Sequence, residues 1–251
     1  MFLSAETLDD LMRQTYLLFV EGKGECVENN SRKGKTLERF GVLLRLTNPR
    51  ARLSRSETKG TIFSCLGELF WILSGSDRLD HIQYYLKRYD EFSDDGITVS
   101  GAYGPRLFDG RKKSTQIKKL VDFLRVQPGS RRAVVQIYSE ADFELDGKDV
   151  PCTLTLQFAI RNGLLDMITF IRSNDIIKGL PQDIFCFTML QEMIAAQLGI
   201  GLGMYTHTVG SLHMYDTDSE KVQEFLDEGF QGTLKPMPEM PFASRYGSAR
   251  K

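Results

Sequence analysis

One of the four cysteines sits where a thiol could do chemistry. Cys152 follows Pro151 and opens the apolar stretch TLTLQFAI. Packed among apolar side chains, a cysteine is a small hydrophobe. With guanidinium groups beside it, its thiolate is stabilised and becomes a nucleophile. Arginines recur in short, well-spaced segments: Arg32 in SRKG, Arg131-Arg132 in PGSRR and Arg172 in RSND. Each alone is ordinarily a solvated surface charge. Around them, in chain order, stand Glu68 in GELFWILSG, Tyr103 in GAYGPR, Gln157 after the cysteine, Asp175 closing RSND, Gly179-Leu180-Pro181, and the run HTVGSLHMY ending in His213 and Tyr215.

These residues must be positioned by a mixture of helices and strands. Leu8, Leu11, Met12, Thr15, Leu18 and Phe19 fall at helical spacing over 5–20 behind Ser4, an N-cap residue type. Residues 36–46 read as a strand, and 61–74 as a buried helix ended by Gly75. Amphipathic helices are predicted over 78–88 and 114–125, and a strand over Ala133–Tyr138. Two apolar runs between Thr153 and Arg172 flank Arg161-Asn162-Gly163, and Asn-Gly is a strong hairpin signal. A long helix from Asp183 to Leu198, a strand over Tyr205–Val209 and a helix over Ser219–Asp227 follow, before a Pro/Met/Gly-rich tail from about 230. Strands and helices mix without a βαβ rhythm, which predicts an α+β fold in one domain spanning 1–251.

Composition narrows the class. At 251 residues, 41% hydrophobic and 26% charged, the chain can bury a sizeable core. A formal net charge of −1 argues against bulk binding to nucleic acid or an anionic membrane, while permitting a local basic pocket. No apolar run reaches the roughly 20 residues of a membrane-spanning helix. The start, MFLSAETLDD, lacks the basic and apolar regions of a signal peptide, so a cytoplasmic setting is expected. The cysteines show no CxxC pairing, so free thiols are expected, with neither disulfides nor a metal site. Gly34-Lys35-Thr36 has the ending of a phosphate-binding loop, but position 29 is Asn where the loop needs Gly, and a strand follows instead of a helix. Asn29-Asn30-Ser31 forms a glycosylation sequon without a secretion signal, and His81 reads as solvated surface.

In order and spacing over about 10–225, these segments together resemble the thymidylate synthase family. The resemblance implies a mixed α/β fold with a large kinked sheet, a homodimer packed sheet to sheet with shared active sites, a pyrimidine nucleoside monophosphate substrate and 5,10-methylenetetrahydrofolate as one-carbon donor. Cys152 matches the nucleophile. Arg32, Arg172 and Ser173 match phosphate ligands, and Arg131 and Arg132 the pair that reaches across the dimer. His213 and Tyr215 match ligands of the sugar 3′-hydroxyl, and Gln157 falls among the substrate-binding set. Asp175 matches the pterin ligand, with Tyr89, Gly179 and Gln182 on the cofactor side. Glu68 matches the proton-relay carboxylate and Tyr103 the tyrosine near the base. Four guanidiniums at one phosphate give a bidentate grip and depress the thiol pKa.

The departures from the family pattern are informative. Where its synthases read G-[LV]-P-F-N-I, this chain has Gly179-Leu180-Pro181-Gln182-Asp183-Ile184. Asn offers uracil a donor for O4 and an acceptor for N3–H, whereas an ionised Asp offers acceptors alone and suits the N4 amino group of cytosine. N3 of cytosine gains a proton once the thiolate adds to C6, so a carboxylate at Asp183 would stabilise that adduct. Against this stands a plainer role for Asp183, capping the helix that begins there. Ser211 replaces the Asp of the usual HTxGDxH run, Tyr89 a tryptophan, Gln182 a Phe and Thr153 a His, and the ending SRYGSARK is polar. A wetter cofactor side favours addition of water over hydride, giving a hydroxymethyl product, and RSND with VGSLHxY is similar to the family's cytidylate hydroxymethylases. The expected activity is therefore C5 hydroxymethylation of dCMP or CMP. A thymidylate synthase with an unusual Asp and an inactive nucleotide- or RNA-binding paralogue are the rivals.

Overall fold

The protein is described here from a computed structural model covering residues 1–31, 34–54, 62–108, 114–143, 147–229 and 236–241. A seven-stranded mixed sheet forms its centre: β1 (Phe2–Ala5), β2 (Val27–Ser31), β3 (Gly34–Leu46), β4 (Val134–Gln136), β5 (Thr153–Arg161), β6 (Leu164–Asp175) and β7 (Gly201–Tyr215). The order is β1-β3-β7-β6-β5-β4, with β2 paired to β3. β1/β3 and β6/β7 are parallel and the remaining pairs antiparallel. Helices α1 (Leu8–Val20), α2 (Ile62–Leu73), α3 (Leu79–Gln83), α4 (Tyr103–Phe108), α5 (Gln116–Val126), α6 (Glu140–Phe143), α7 (Gly179–Leu198) and α8 (Ser219–Asp227) complete an α+β fold.

Strand periodicity sorts the two sheet faces. Leu156, Phe158, Leu165, Met167, Ile171, Tyr205, Val209, Val42 and Leu44 are buried and share the core with α1, α2, α5 and α7. The alternating set carries half-exposed Ile168, Phe170 and Met204. α7 is apolar nearly all round, so it runs through the core, as such helices must. A smaller cluster joins Trp71, Leu79, Ile82, Val99 and Ala102.

Irregularities line up across the sheet. Gly41 takes φ +77° in mid-β3, a conformation that an L side chain resists. Its ladder partner by register would be Gly210, where a Cβ would lie 2.9 Å from the Arg172 carbonyl. Arg172 is passed over in the β6/β7 ladder, and β5 shifts register between Thr153 and Thr155. Four neighbouring strands thus break their pairing along one line, and Cys152, Arg172, Ser173, Asp175, His213 and Tyr215 lie at or beyond it.

Several local expectations hold and others need correction. Asn162 and Gly163 have φ 51° and 74°, so the predicted hairpin closes with the left-handed pair such a turn requires. α8 begins and ends as predicted, and Gly75 ends α2 at φ +70°. The cap of α1 is Thr7, whose Oγ1 accepts from Asp10 N at 3.0 Å; Ser4 instead pairs with Arg45 in the sheet. The helix expected over 78–88 stops at Gln83, because Leu86 leaves helical geometry and a 3₁₀ stretch, Lys87–Phe92, takes over. α7 starts at Gly179 behind Lys178, so Asp183 is inside the helix and caps nothing. Gly34-Lys35-Thr36 belongs to β3, which excludes the loop-then-helix geometry of a phosphate-binding loop. All four cysteines are free thiols. Among the described residues, no helix is long and apolar enough to cross a membrane, and no three acidic, His or Cys side chains gather to hold a metal.

Candidate active site

The starts of β3 and β5 and the ends of β6 and β7 meet at one end of the sheet, because β5 runs antiparallel to β6 and β3 antiparallel to β7. Cys152 lies there, half-buried, one residue before β5. Its carbonyl accepts from Arg172 N at 2.8 Å. The Arg172 guanidinium folds back on the same loop, donating from Nε to Pro151 O at 3.0 Å and from Nη2 to Val150 O at 2.9 Å. The arginine therefore braces the segment that carries the thiol. Beyond the break, Ser173 pairs with Ser211 and Asp175 with His213. Asp175 Oδ1 accepts from Ile177 N at 2.6 Å and Lys178 N at 3.1 Å, forming the turn that launches α7. His213 and Tyr215 make an edge-to-face pair with ring centres 5.3 Å apart. Burial raises the Tyr215 phenol pKa, with Asp175 and Cys152 adding to the rise.

α2, α4 and α7 bring the acid–base groups to the same end. Tyr103, stacked on Phe187, accepts at its hydroxyl from Thr153 N at 3.2 Å and Thr153 Oγ1 at 3.0 Å, which leaves its own proton for another partner. Burial pushes this phenol well up, and the nearby Asp183 and Cys152 push it further. Asp183 is raised to about 7 by burial, opposed by a hydrogen bond from Asn174. Glu68 is raised to about 8, first by burial, then by the negative charge of Asp183 and Asp149. Its Oε2 is buried with no hydrogen-bond partner among the described residues, and the same is true of Trp71 Nε1. Tyr89 packs edge-on to Trp71 at 5.4 Å, and burial followed by Glu68 raises its phenol pKa. Two carboxyls poised between pH 7 and 8 beside a thiol and phenols can exchange protons near neutrality. The orphaned polar atoms against an aromatic wall fit a planar, hydrogen-bonding heterocycle such as a pterin.

Other predicted positions are spread more widely. Gln157 lies five residues along β5 from Cys152, about 17 Å at the rise of an extended strand, and its Nε2 donates to Arg131 O at 3.2 Å. Arg131 and exposed Arg132 precede β4, whose Val134 pairs with Gln157, so within one chain both arginines point away from the thiol's end of the sheet. Arg132 lies over the Phe123 ring at 5.9 Å. Gly179 serves the packing of the site: a Cβ there would come 2.7 Å from Asn174 Nδ2. Gln182 is half-buried on the first turns of α7. Arg32 and the polar ending 242–251 lie outside the described residues. Sequence reasoning passed over Asn174 and His207, although both fall inside the RSND and HTVGSLHMY segments; their burial is the signal, and it is visible in the fold alone.

The thymidylate synthase family model matches residues 16–246. Similar relatives are deoxyuridylate hydroxymethyltransferases of three phages. That of Delftia phage PhiW-14 is 33% identical over 227 residues, covering 84% of this chain and 61% of the relative. That of Bacillus phage SP01 is 30% identical over 240 residues, covering 84% and 63%. That of Pseudomonas phage M6 is 32% identical over 191 residues, covering 73% and 54%. The chain thus spans about three fifths of the length of these relatives. With a family model matching nearly all of its length and relatives 30–33% identical over most of this chain, the chain belongs to the thymidylate synthase family.

Proposed function

We propose that this protein is a folate-dependent pyrimidine nucleotide C5 hydroxymethylase, acting on deoxycytidylate with 5,10-methylenetetrahydrofolate and water. The observation that carries the reading is the meeting of Cys152, Tyr103, Glu68 and Asp183 at one end of the sheet. Cys152 adds as thiolate to C6 of the ring, which makes C5 nucleophilic. Arg172, Arg32 and Ser173, with Arg131 and Arg132 of a second copy, hold the 5′-phosphate, while His213 and Tyr215 address the 3′-hydroxyl. Asp183 accepts from the N4 amino group and from the proton N3 gains on addition, a contact that strengthens towards the transition state. Methylenetetrahydrofolate supplies the one-carbon unit when bound, and Tyr89, Asp175 and Gln182 line its side of the site. Glu68, with an orphaned carboxyl oxygen, holds the water and takes its proton, ending in a hydroxymethyl group and intact tetrahydrofolate. Half-exposed Ile168, Phe170 and Met204 support a sheet-to-sheet homodimer.

A second reading, deoxyuridylate as substrate, is favoured by the relatives' names and by Asp183 itself. Held near 7, that carboxyl is protonated part of the time, and a carboxylic acid offers a donor and an acceptor as Asn does. Incubation with dCMP, CMP, dUMP and UMP, each with methylenetetrahydrofolate, decides by product mass. A hydroxymethylated cytidylate without dihydrofolate supports the first reading, and a hydroxymethylated uridylate the second. Stoichiometric dihydrofolate with a methylated base refutes both. Cys152→Ala should abolish turnover and retain nucleotide binding; substantial turnover in that variant overturns the covalent mechanism.

A further inference from the structure

The first residue of β5 gives both of its donors to one oxygen. Thr153 N donates to the Tyr103 hydroxyl at 3.2 Å, and Thr153 Oγ1 to the same atom at 3.0 Å. The sheet leaves these donors free. β4 pairs with β5 only from Thr155 onwards, and the β5/β6 ladder shifts register between Thr153 and Thr155, so Tyr103 stands in as acceptor. The phenol ring is held independently of this contact. It stacks on buried Phe187, with ring centres 6.1 Å apart. One turn further along α4, Arg106 donates to Asp142 Oδ2 at 2.6 Å, to Asp142 Oδ1 at 2.7 Å and to Ile137 O at 2.8 Å. Ile137 N and Tyr138 N in turn donate to Leu154 O, at 2.9 and 3.1 Å. Phenol and strand are thus braced into one frame on either side of the contact.

The direction of the contact is fixed by what else its atoms could do. A backbone N–H can only donate. Thr153 is 0% exposed, and its hydroxyl has no other partner among the described residues. Turning that hydroxyl to accept would strand its own hydrogen away from water. The phenol oxygen therefore receives two donors, and with its own hydrogen in place it has no room for a third. No described residue accepts that hydrogen, so a neutral Tyr103 meets the nucleotide, or a water beside it, as a donor. Burial, then Asp183 and Cys152, keep the phenol neutral, while both Thr153 hydrogen bonds favour its ionised form. As the proton is shared with an acceptor on the nucleotide, the phenol oxygen gains charge and both bonds strengthen. Thr153 is also joined directly to Cys152, so the donors move with the nucleophile.

We infer that Thr153 is a positioning residue that acts through Tyr103: its N–H and Oγ1–H fill the acceptor side of the phenol oxygen and turn the phenol proton towards the nucleotide. In this role Thr153 touches neither nucleotide nor cofactor. The inference rests on the reading of Tyr103 as an acid–base group of the reaction, and it holds for either base.

Five full-length proteins carry the test: the parent, Thr153→Val, Thr153→Ser, Tyr103→Phe and the double variant Thr153→Val/Tyr103→Phe. kcat and the nucleotide KM are measured at saturating methylenetetrahydrofolate, with whichever of dCMP and dUMP the parent turns over. Thr153→Val keeps the β-branched shape and removes the hydroxyl. Its kcat should fall about tenfold, the worth of one neutral hydrogen bond, with KM within about threefold of the parent. Thr153→Ser keeps the hydroxyl, and its kcat should stay within about threefold. In the Tyr103→Phe background the valine should cost no further rate, because the oxygen it serves is gone. A packing role gives the opposite pattern, with serine the damaging substitution and the losses in the double variant multiplying. Either of those results overturns the inference. So does a Thr153→Val protein within about threefold of the parent while Tyr103→Phe is impaired, and the reading of Tyr103 then stands. If Tyr103→Phe keeps the parent's kcat, that reading itself fails and the role of Thr153 falls with it. Amide hydrogen exchange judges the contact without turnover, even where Thr153→Val does not fold. In Tyr103→Phe the Thr153 amide should exchange at least about tenfold faster relative to the Phe158 amide, whose acceptor, Ala133 O, is unaltered. Equal relative exchange in parent and variant overturns the inference.

Discussion

Replacing Glu68 by Gln exchanges a desolvated acid for a near-isosteric group that never ionises. In the unfolded chain this carboxyl titrates near 4.5, and in the fold only at about 8, because burial and the neighbouring Asp183 and Asp149 disfavour its charge. For an acid whose pKa is raised by folding, its contribution is intact below the unfolded value and is lost as pH rises through the folded one. The window therefore runs from about 4.5 to about 8. Linkage places the loss at about 1 kcal/mol at pH 5 and about 3 kcal/mol at pH 7. Glu68→Gln should thus gain roughly 2–3 kcal/mol relative to the parent between those two pH values, while turnover collapses. Asp183 titrates in an overlapping window but is present in both proteins, so it drops out of the difference to first order. Urea unfolding of both proteins at pH 5, 6, 7 and 8 measures it. A stability difference that stays constant within about 0.5 kcal/mol across this range would show that Glu68 ionises freely in the fold, and would refute the assignment of a poised carboxyl.

Arg52 and Glu192 form a fully buried ion pair, and Glu192 Oε1 also accepts from Met240 N at 3.0 Å, pinning residues 236–241 onto the body. Arg52→Met should cost about 3–5 kcal/mol by stranding that carboxylate, and adding Glu192→Leu should recover most of it in urea melts. A single variant as stable as the parent would contradict the pairing. Cys152→Ala and an Arg131→Ala/Arg132→Ala double variant, each inactive alone, should regain activity when mixed, because one of the two sites in the hybrid is intact. No recovery despite demonstrated subunit exchange counts against shared sites. Finally, dCMP should be preferred to CMP in kcat/KM, and the reverse order would overturn the deoxynucleotide assignment.

Local chemistry settled much of this molecule in advance. Asn162-Gly163 closes its hairpin because left-handed φ is cheap only for such residues, and α8 follows a helical apolar stripe that its neighbours do not alter. Cys152, Arg172, Glu68 and Asp183 stood out because their types and order carry a chemical pattern along the chain. What periodicity could not supply was distance between elements. Burial lifts both Glu68 and Asp183 towards neutrality, and Asp183 lifts Glu68 further only because α2 packs on α7, which neither local sequence announces. Gln157 and Cys152 are five residues apart in a row that reads as one patch, yet an extended strand and a register shift carry them to different places. The line of breaks through Gly41, Gly210 and Arg172 depends on three strands meeting, so no single segment announces it. His207 and Asn174, thirty-three residues apart, become partners only where β6 and β7 lie parallel, and burial then makes their hydrogen bonds compulsory. Sequence nominated the candidate reacting groups, and tertiary packing decided their protonation and orientation, because both depend on who is excluded from water beside whom.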